Sequence, residues 1–176
     1  VQSLQISRLP EFNAIFLVNV RNLSSGLLNE LSSAVAEGSS VVLFPHTGIN
    51  PLTNNTFLSK FGTGLITGTD STGQLISGID FNKRFFENVF NEIRENAILP
   101  KIHTHLRFEE SIRTDETVLL WFQNGDKALS VSPYEKGKVW VFSFPLDRSN
   151  EAFARDILFV PSIYNIVLNS LPDQRI

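Results

Sequence analysis

The 176-residue chain contains neither cysteine nor methionine. With no thiol there is no disulfide, no thiolate nucleophile and no Cys-based zinc site, and neither a reducing nor an oxidising compartment is excluded on that count. Charge is scarce too. Only 19% of residues are charged, and 15 basic against 18 acidic side chains leave a net charge of -3. That balance provides no sequence-independent attraction to nucleic acid or anionic lipid, so no nucleic-acid partner is expected. Long apolar runs are also missing. The longest, Ile157 to Leu168, is broken by Pro161, Ser162 and Asn165 and falls short of the roughly 20 residues a spanning helix needs. No segment repeats along the length, and no signal-peptide pattern precedes Val1, so the chain is expected to be a piece of a longer protein.

What the chain does have is core. A hydrophobic content of 42% with 15 Phe suits one well-buried domain over residues 1–176. Ala14 to Asn19 and Val41 to Phe44 are short, largely apolar runs without polar alternation, the pattern of strands covered on both faces. Between them Leu27, Leu28, Leu31, Ala34 and Val35 share one helical face, with Ser24 or Ser25 as cap and Gly38 as stop. Together they read as a parallel β-α-β unit, and ligands of such sheets bind beyond the carboxyl ends of the strands. The residues there are Pro45, His46, Thr47 and Gly48. Val1 to Phe12 reads as a leading strand or connection. A turn-rich loop to Asn55 precedes a short helix predicted over Thr56 to Phe61. Gly64 to Gly78 predicts short irregular strands, and Phe81, Phe85, Phe86, Val89, Phe90 and Ile93 recur at helical spacing.

The second half changes period. Ile102, Leu106 and Phe108 alternate with Lys101, His103, His105 and Arg107, predicting a half-exposed strand with a basic outer face. Asn124-Gly125 between two strand-like runs signals a hairpin. Glu135 to Lys138 turns into a central strand ending near Phe144, followed by a short helix over Asn150 to Asp156 and a last helix with Pro161 at its first position.

Candidate chemistry is thin. His103 and His105 have a usable metal-ligand spacing, with Glu109 or Glu110 as a possible carboxylate, but Lys101 and Arg107 on the same face oppose a divalent ion. No metal site or cofactor is therefore expected. His46 with Asp70 or Asp147 and one of the many serines would make a hydrolytic arrangement, yet no Gly-x-Ser-x-Gly elbow is present. The plainer reading is that His46 bonds the loop that follows it. Gly62-x-Gly64 lacks the rest of a phosphate loop and reads as a helix stop. Asp147 and Arg155 flank the last loop and are placed to pair across it.

Leu9-Pro10, the run Ala14 to Asn19, Leu23 to Leu27 and Glu37 to Pro45 together resemble the first half of the class I glutamine-amidotransferase-like, flavodoxin-related fold. Asn124-Gly125-Asp126, Gly137-Lys138-Val139, Ser143 to Asp147, Phe153-Ala154-Arg155 and Leu158 to Tyr164 look more specifically like the amidotransferase-like domain of the aerotolerance-operon, BatA-type membrane proteins. The resemblance implies a three-layer α/β sandwich with a mostly parallel sheet and added antiparallel hairpin strands. It further implies a bacterial parent anchored in the inner membrane by segments outside this chain, with the domain on the periplasmic side. Implied partners are a von Willebrand A-like region or a MoxR-type ATPase. Amidotransferases of this class carry a nucleophilic Cys on the turn after the second strand, where this chain has Pro45-His46, so glutamine hydrolysis is excluded. The expected function is a non-catalytic interaction or scaffold module whose contact surface includes His46, Thr47, Asn50, Asp147 and Arg155. The alternative is a hydrolase or small-ligand site using His46.

Overall fold

The computed structural model describes residues 5–48, 51–79, 85–86, 99–109 and 115–171. A 3-10 turn, Ile6–Glu11, stands where a leading strand or connection was expected, and it leads into β1 (Ala14–Val18). Helix α1 (Ser25–Glu37) begins where the Ser24 hydroxyl accepts the Leu27 N–H at 3.2 Å, and it stops at Gly38, whose φ of 124° a side chain would resist. The chain returns as β2 (Ser40–Phe44), parallel to β1 with Phe16 opposite Val42 and Val18 opposite Phe44.

Helix α2 runs Pro51–Phe61, five residues longer at its start than the predicted Thr56 to Phe61. Asn54 and Asn55 read as turn formers in isolation, but tertiary bonds employ them inside the helix. The Asn55 amide and the Ile66 backbone bond reciprocally, at 2.8 and 3.1 Å, clamping α2 to β3 (Ile66–Asp70). Strand β4 (Gln74–Ile79) follows; of the aromatic helix predicted next, Phe85 and Phe86 are described, both buried, and the rest lies outside the described residues.

The single strand predicted over residues 101–108 is two strands, β5 (Lys101–Ile102) and β6 (His105–Phe108). Between them the Asn150 side chain takes the His103 N–H and breaks the alternation. β7 (Thr117–Phe122) and β8 (Lys127–Tyr134) form the hairpin signalled by Asn124-Gly125. Gly125 N donates to Phe122 O at 3.0 Å and has a φ of 90°, the left-handed residue of a three-residue loop. β9 (Gly137–Phe142) is followed by a 3-10 turn (Arg148–Asn150), α3 (Glu151–Ala154) and α4 (Phe159–Asn169). Pro161 is thus the third residue of α4, still in the first turn where its missing N–H costs nothing.

Seven strands make one sheet in the order β1-β2-β9-β8-β7-β4-β5, while β3 and β6 pair separately. β1, β2 and β9 are parallel and the remaining pairings of the large sheet are antiparallel, so the β-α-β part is extended by hairpins. Alternation along the middle strands divides the core. Val41, Leu43, Val139 and Val141 face α1, α2 and β3–β6, packing on Leu31, Val35, Phe57 and Phe61. Val42, Phe44, Trp140 and Phe142 face α3 and α4, where Phe144, Phe153 and Ile166 complete the second layer. The Phe44 and Phe142 rings stack at 4.1 Å, and Phe153 sits edge-on to Phe142, Phe144 and Phe159. At the other end of β9, Gly137 has no room for a Cβ, which would overlap Ser39 O and Val35 O at the end of α1.

Candidate functional site

The carboxyl edge of β1, β2 and β9 is where this fold exposes chemistry. β1 ends in Asn19, a non-glycine residue with φ 51°, whose N–H donates to Phe44 O and whose Nδ2 donates to Leu146 O, both at 2.9 Å. Its backbone thereby ties β1 to the end of β2, and its side chain ties β1 to the loop after β9. β2 ends in buried Pro45 and half-buried His46. His46 Nδ1 accepts the Gly48 N–H at 2.9 Å, bonding the loop that follows it, and Thr47 beside it is half-buried. Asn50 lies outside the described residues. Neither acid considered as a partner for His46 reaches it. Asp147 Oδ1 accepts from Ser149 N and Oγ at 2.9 and 2.6 Å, and Asp70 Oδ1 accepts from Thr72 N and Oγ1 at 2.7 and 2.6 Å. Asp147 and Arg155 do not pair either: Arg155 is bonded to Glu151, one helical turn back, at 3.0 Å. The short helix between them points Arg155 along its own surface.

Asn150, fully buried, organises the far side of this edge. Its Nδ2 donates to Thr104 O at 3.1 Å and to Pro145 O at 3.3 Å, while its Oδ1 accepts from His103 N at 2.9 Å. Those bonds fasten the β5–β6 link to the loop after β9 and separate the two histidines assigned to one strand face. His103 is exposed; His105 is 0% exposed, with its ring 4.3 Å from that of Phe122. The basic, solvated face expected for this segment therefore does not include His105.

Its neighbours are acids from two other strand ends. His105 Nε2 lies 2.9 Å from Asp126 Oδ2, which also accepts from Asn124 Nδ2 at 2.8 Å. Asp70, directly opposite His105 in the β3–β6 ladder, is linked to the same Asn124 amide at 3.5 Å. One ligand-type atom from each of Asp70, His105 and Asp126 lies within 4.8 Å of the others, a spacing that could hold a metal ion and the one such group among the described residues. Hydrogen bonds from the Thr72 hydroxyl and then its backbone N–H hold the Asp70 carboxyl below its ordinary pKa, with smaller attractions from His105 and Arg107. Sequence reasoning missed this cluster. Asn124-Gly125-Asp126 was legible only as a turn, and the two-residue period put His105 with His103.

Two clefts lie away from this edge. One of about 540 Å³ is at the amino ends of the parallel strands, between Pro10, Phe12, Ser40, Lys138 and Leu168. The other, of about 310 Å³, lies between Phe85, Thr117, Val131, Trp140 and Asn169.

No protein-family model matches the chain, and no curated protein is significantly similar to it. Solved structures are. A cytoplasmic protein from Salmonella typhimurium superposes with a TM-score of 0.72 at 15% identity, over 96% of this chain and 75% of that one. A ThuA-like protein from Bacteroides uniformis gives a TM-score of 0.64 at 13% identity, over 92% of this chain and 71% of that one. A cold-adapted β-galactosidase from Rahnella sp. R3 gives 0.59 at 14% identity, over 92% of this chain but only 24% of the enzyme. At such identities the likeness is one of fold, and the fold is the three-layer, amidotransferase-like α/β sandwich.

Proposed function

We propose that the domain is a non-catalytic docking module that presents an uncharged apolar face to another polypeptide. The observation that carries this reading is the outer flank of α4. From Ile157 to Leu171 the chain has no charged residue. Val160 and Tyr164 are 70% and 58% exposed, and Ile157, Leu168 and Leu171 extend the same stripe at helical spacing. Phe16 and Val18 of β1, a strand paired on one side only, are also exposed, on the sheet face that carries the α4 layer. An exposed apolar stripe of this kind favours an interaction site, because each Val or Leu side chain withdrawn from water contributes about 1.5–3 kcal/mol.

The proposal takes α4 and β1 as the docking face rather than the Pro45 to Asn55 and Asp147 to Arg155 loops, where His46, Asp147 and Arg155 bond to Gly48, Ser149 and Glu151. The hydrolase alternative has less support, since His46 Nδ1 is occupied by Gly48 N and no carboxylate is bonded to His46 among the described residues. The resemblance to BatA-type proteins supplies the setting: an inner-membrane-anchored parent, a periplasmic domain, and a von Willebrand A-like region or MoxR-type ATPase as partner. No described helix is long and apolar enough to cross a membrane.

Site-specific photocrosslinking in cells tests the reading. A photoreactive residue at position 160 or 164 of the parent protein is expected to give one discrete adduct, and the same residue at exposed Lys60 on the opposite face none. Absence of an adduct from the α4 positions would remove the proposal, and mass spectrometry of the adduct identifies the partner.

A further inference from the structure

We propose that Asp70, His105 and Asp126 form a binding site for a divalent transition-metal cation of the Zn2+ type, taking two carboxylate oxygens and one imidazole nitrogen as ligands. Three strand ends, those of β3, β6 and β8, converge to bring the three donor atoms within 4.8 Å of one another. A pair of ionised carboxylates at this separation repel, and a dication cancels their charge with the imidazole completing a neutral set.

The independent observation is the state of His105. Here the ring is 0% exposed and lies against Phe122, and its Nε2 is the ring atom aimed at the carboxylates, 2.9 Å from Asp126 Oδ2. The packing fixes the direction of Nε2, which is what a ligand requires. Asp126, with its side chain 28% exposed, and half-buried Asp70 form the solvent side, leaving room for water as a further ligand. A nitrogen with two carboxylates suits Zn2+, Fe2+ or Mn2+ better than the all-oxygen cations Mg2+ and Ca2+.

Two features moderate the affinity. Ligation through Nε2 requires the imidazole proton on Nδ1, and that N–H has no acceptor among the described residues, so binding is expected about 10–100-fold weaker than at a site with an outer-shell partner. Arg107, two residues further along β6, draws Asp70 by its charge and competes with the ion. Its removal should therefore tighten binding.

The test uses Zn2+ alone. Protein stripped with chelator and desalted is titrated with Zn2+ against a chromophoric indicator at neutral pH, and the His105 ring nitrogens are followed by 15N NMR. Expected is one Zn2+ per chain with a ligation shift at Nε2. Asp70→Asn and Asp126→Asn should each weaken binding by about tenfold or more, Arg107→Ala should strengthen it, and His103→Ala should leave it unchanged. Asp70 is the half-buried last residue of β3, with its carboxylate on the solvent side, so its variant is expected to fold, with circular dichroism as the check. Lack of saturable binding below about 1 mM, a strength of only ~4 kcal/mol, overturns the proposal. So does unchanged affinity in the folded Asp70→Asn/Asp126→Asn double variant.

Discussion

Replacing Asn150 by alanine is expected to destabilise the domain by about 2–4 kcal/mol, because the change strands backbone groups that have no nearby substitute. The amide donates to Thr104 O at 3.1 Å and Pro145 O at 3.3 Å and accepts from His103 N at 2.9 Å. An unsatisfied buried group costs about 1–3 kcal/mol, in full where water cannot follow and less where it can. Pro145 is buried and bears the larger share; exposed His103 and half-buried Thr104 can recruit water. A chain of this length loses about 2–4 °C in Tm per kcal/mol, so the midpoint should fall by roughly 5–15 °C. Urea unfolding followed through Trp121 and Trp140 measures the loss, and an unchanged m-value shows that the folded state is otherwise retained. Asn150→Asp keeps the acceptor but turns an oxygen toward two carbonyls, so it should cost at least as much at neutral pH and recover in part when acid restores a donor. A loss below about 0.5 kcal/mol for Asn150→Ala, the level of an ordinary surface change, would refute the role given to this residue.

Gly137→Ala should cost about 2 kcal/mol or more, since the added methyl meets the Ser39 and Val35 carbonyls rather than movable side chains; thermal unfolding checks it, and a neutral result contradicts the close approach. Phe153→Ala removes a fully buried ring that contacts Phe142, Phe144 and Phe159, with an expected loss of about 3–5 kcal/mol by urea unfolding. The lowered pKa of Asp70, owed first to the Thr72 hydroxyl, stabilises the folded state above the unfolded carboxyl pKa of about 4. That stability is lost as pH falls through the still lower folded value, so Asp70→Ala should trail the parent at neutral pH and converge with it in acid. Asp156 shifts the other way, raised by burial with partial relief from Leu158 N–H, so Asp156→Asn should gain stability at neutral pH and lose that advantage below the unfolded pKa.

Local patterns carried the start of the fold. The apolar runs from Ala14 and from Val41, the Ser24 cap and the Gly38 stop each act within a few residues of chain and form the expected strands and helix, but only β2 is buried on both faces; β1, paired on one side only, leaves Phe16 and Val18 exposed. The Asn124-Gly125 turn is local as well. The start of α2 was not legible, because Asn54 and Asn55 have turn-forming preferences that a bond to Ile66, across the next turn, overrides.

The sequence by itself determined the two-sided burial of the central strands, the β-α-β beginning, the hairpins, and the absence of any thiol chemistry, since these depend on residue type and short-range period. Only tertiary structure decided what stands at the edge of the sheet. Asn150 breaks a strand 46 positions away in the chain and so parts His103 from His105. Asp70, His105 and Asp126 come together because a strand ladder and a hairpin end at the same place. The outer flank of α4 reads in sequence like any core helix; which of its apolar residues remain in water is set by the sheet it leans on, through contacts that no local pattern encodes.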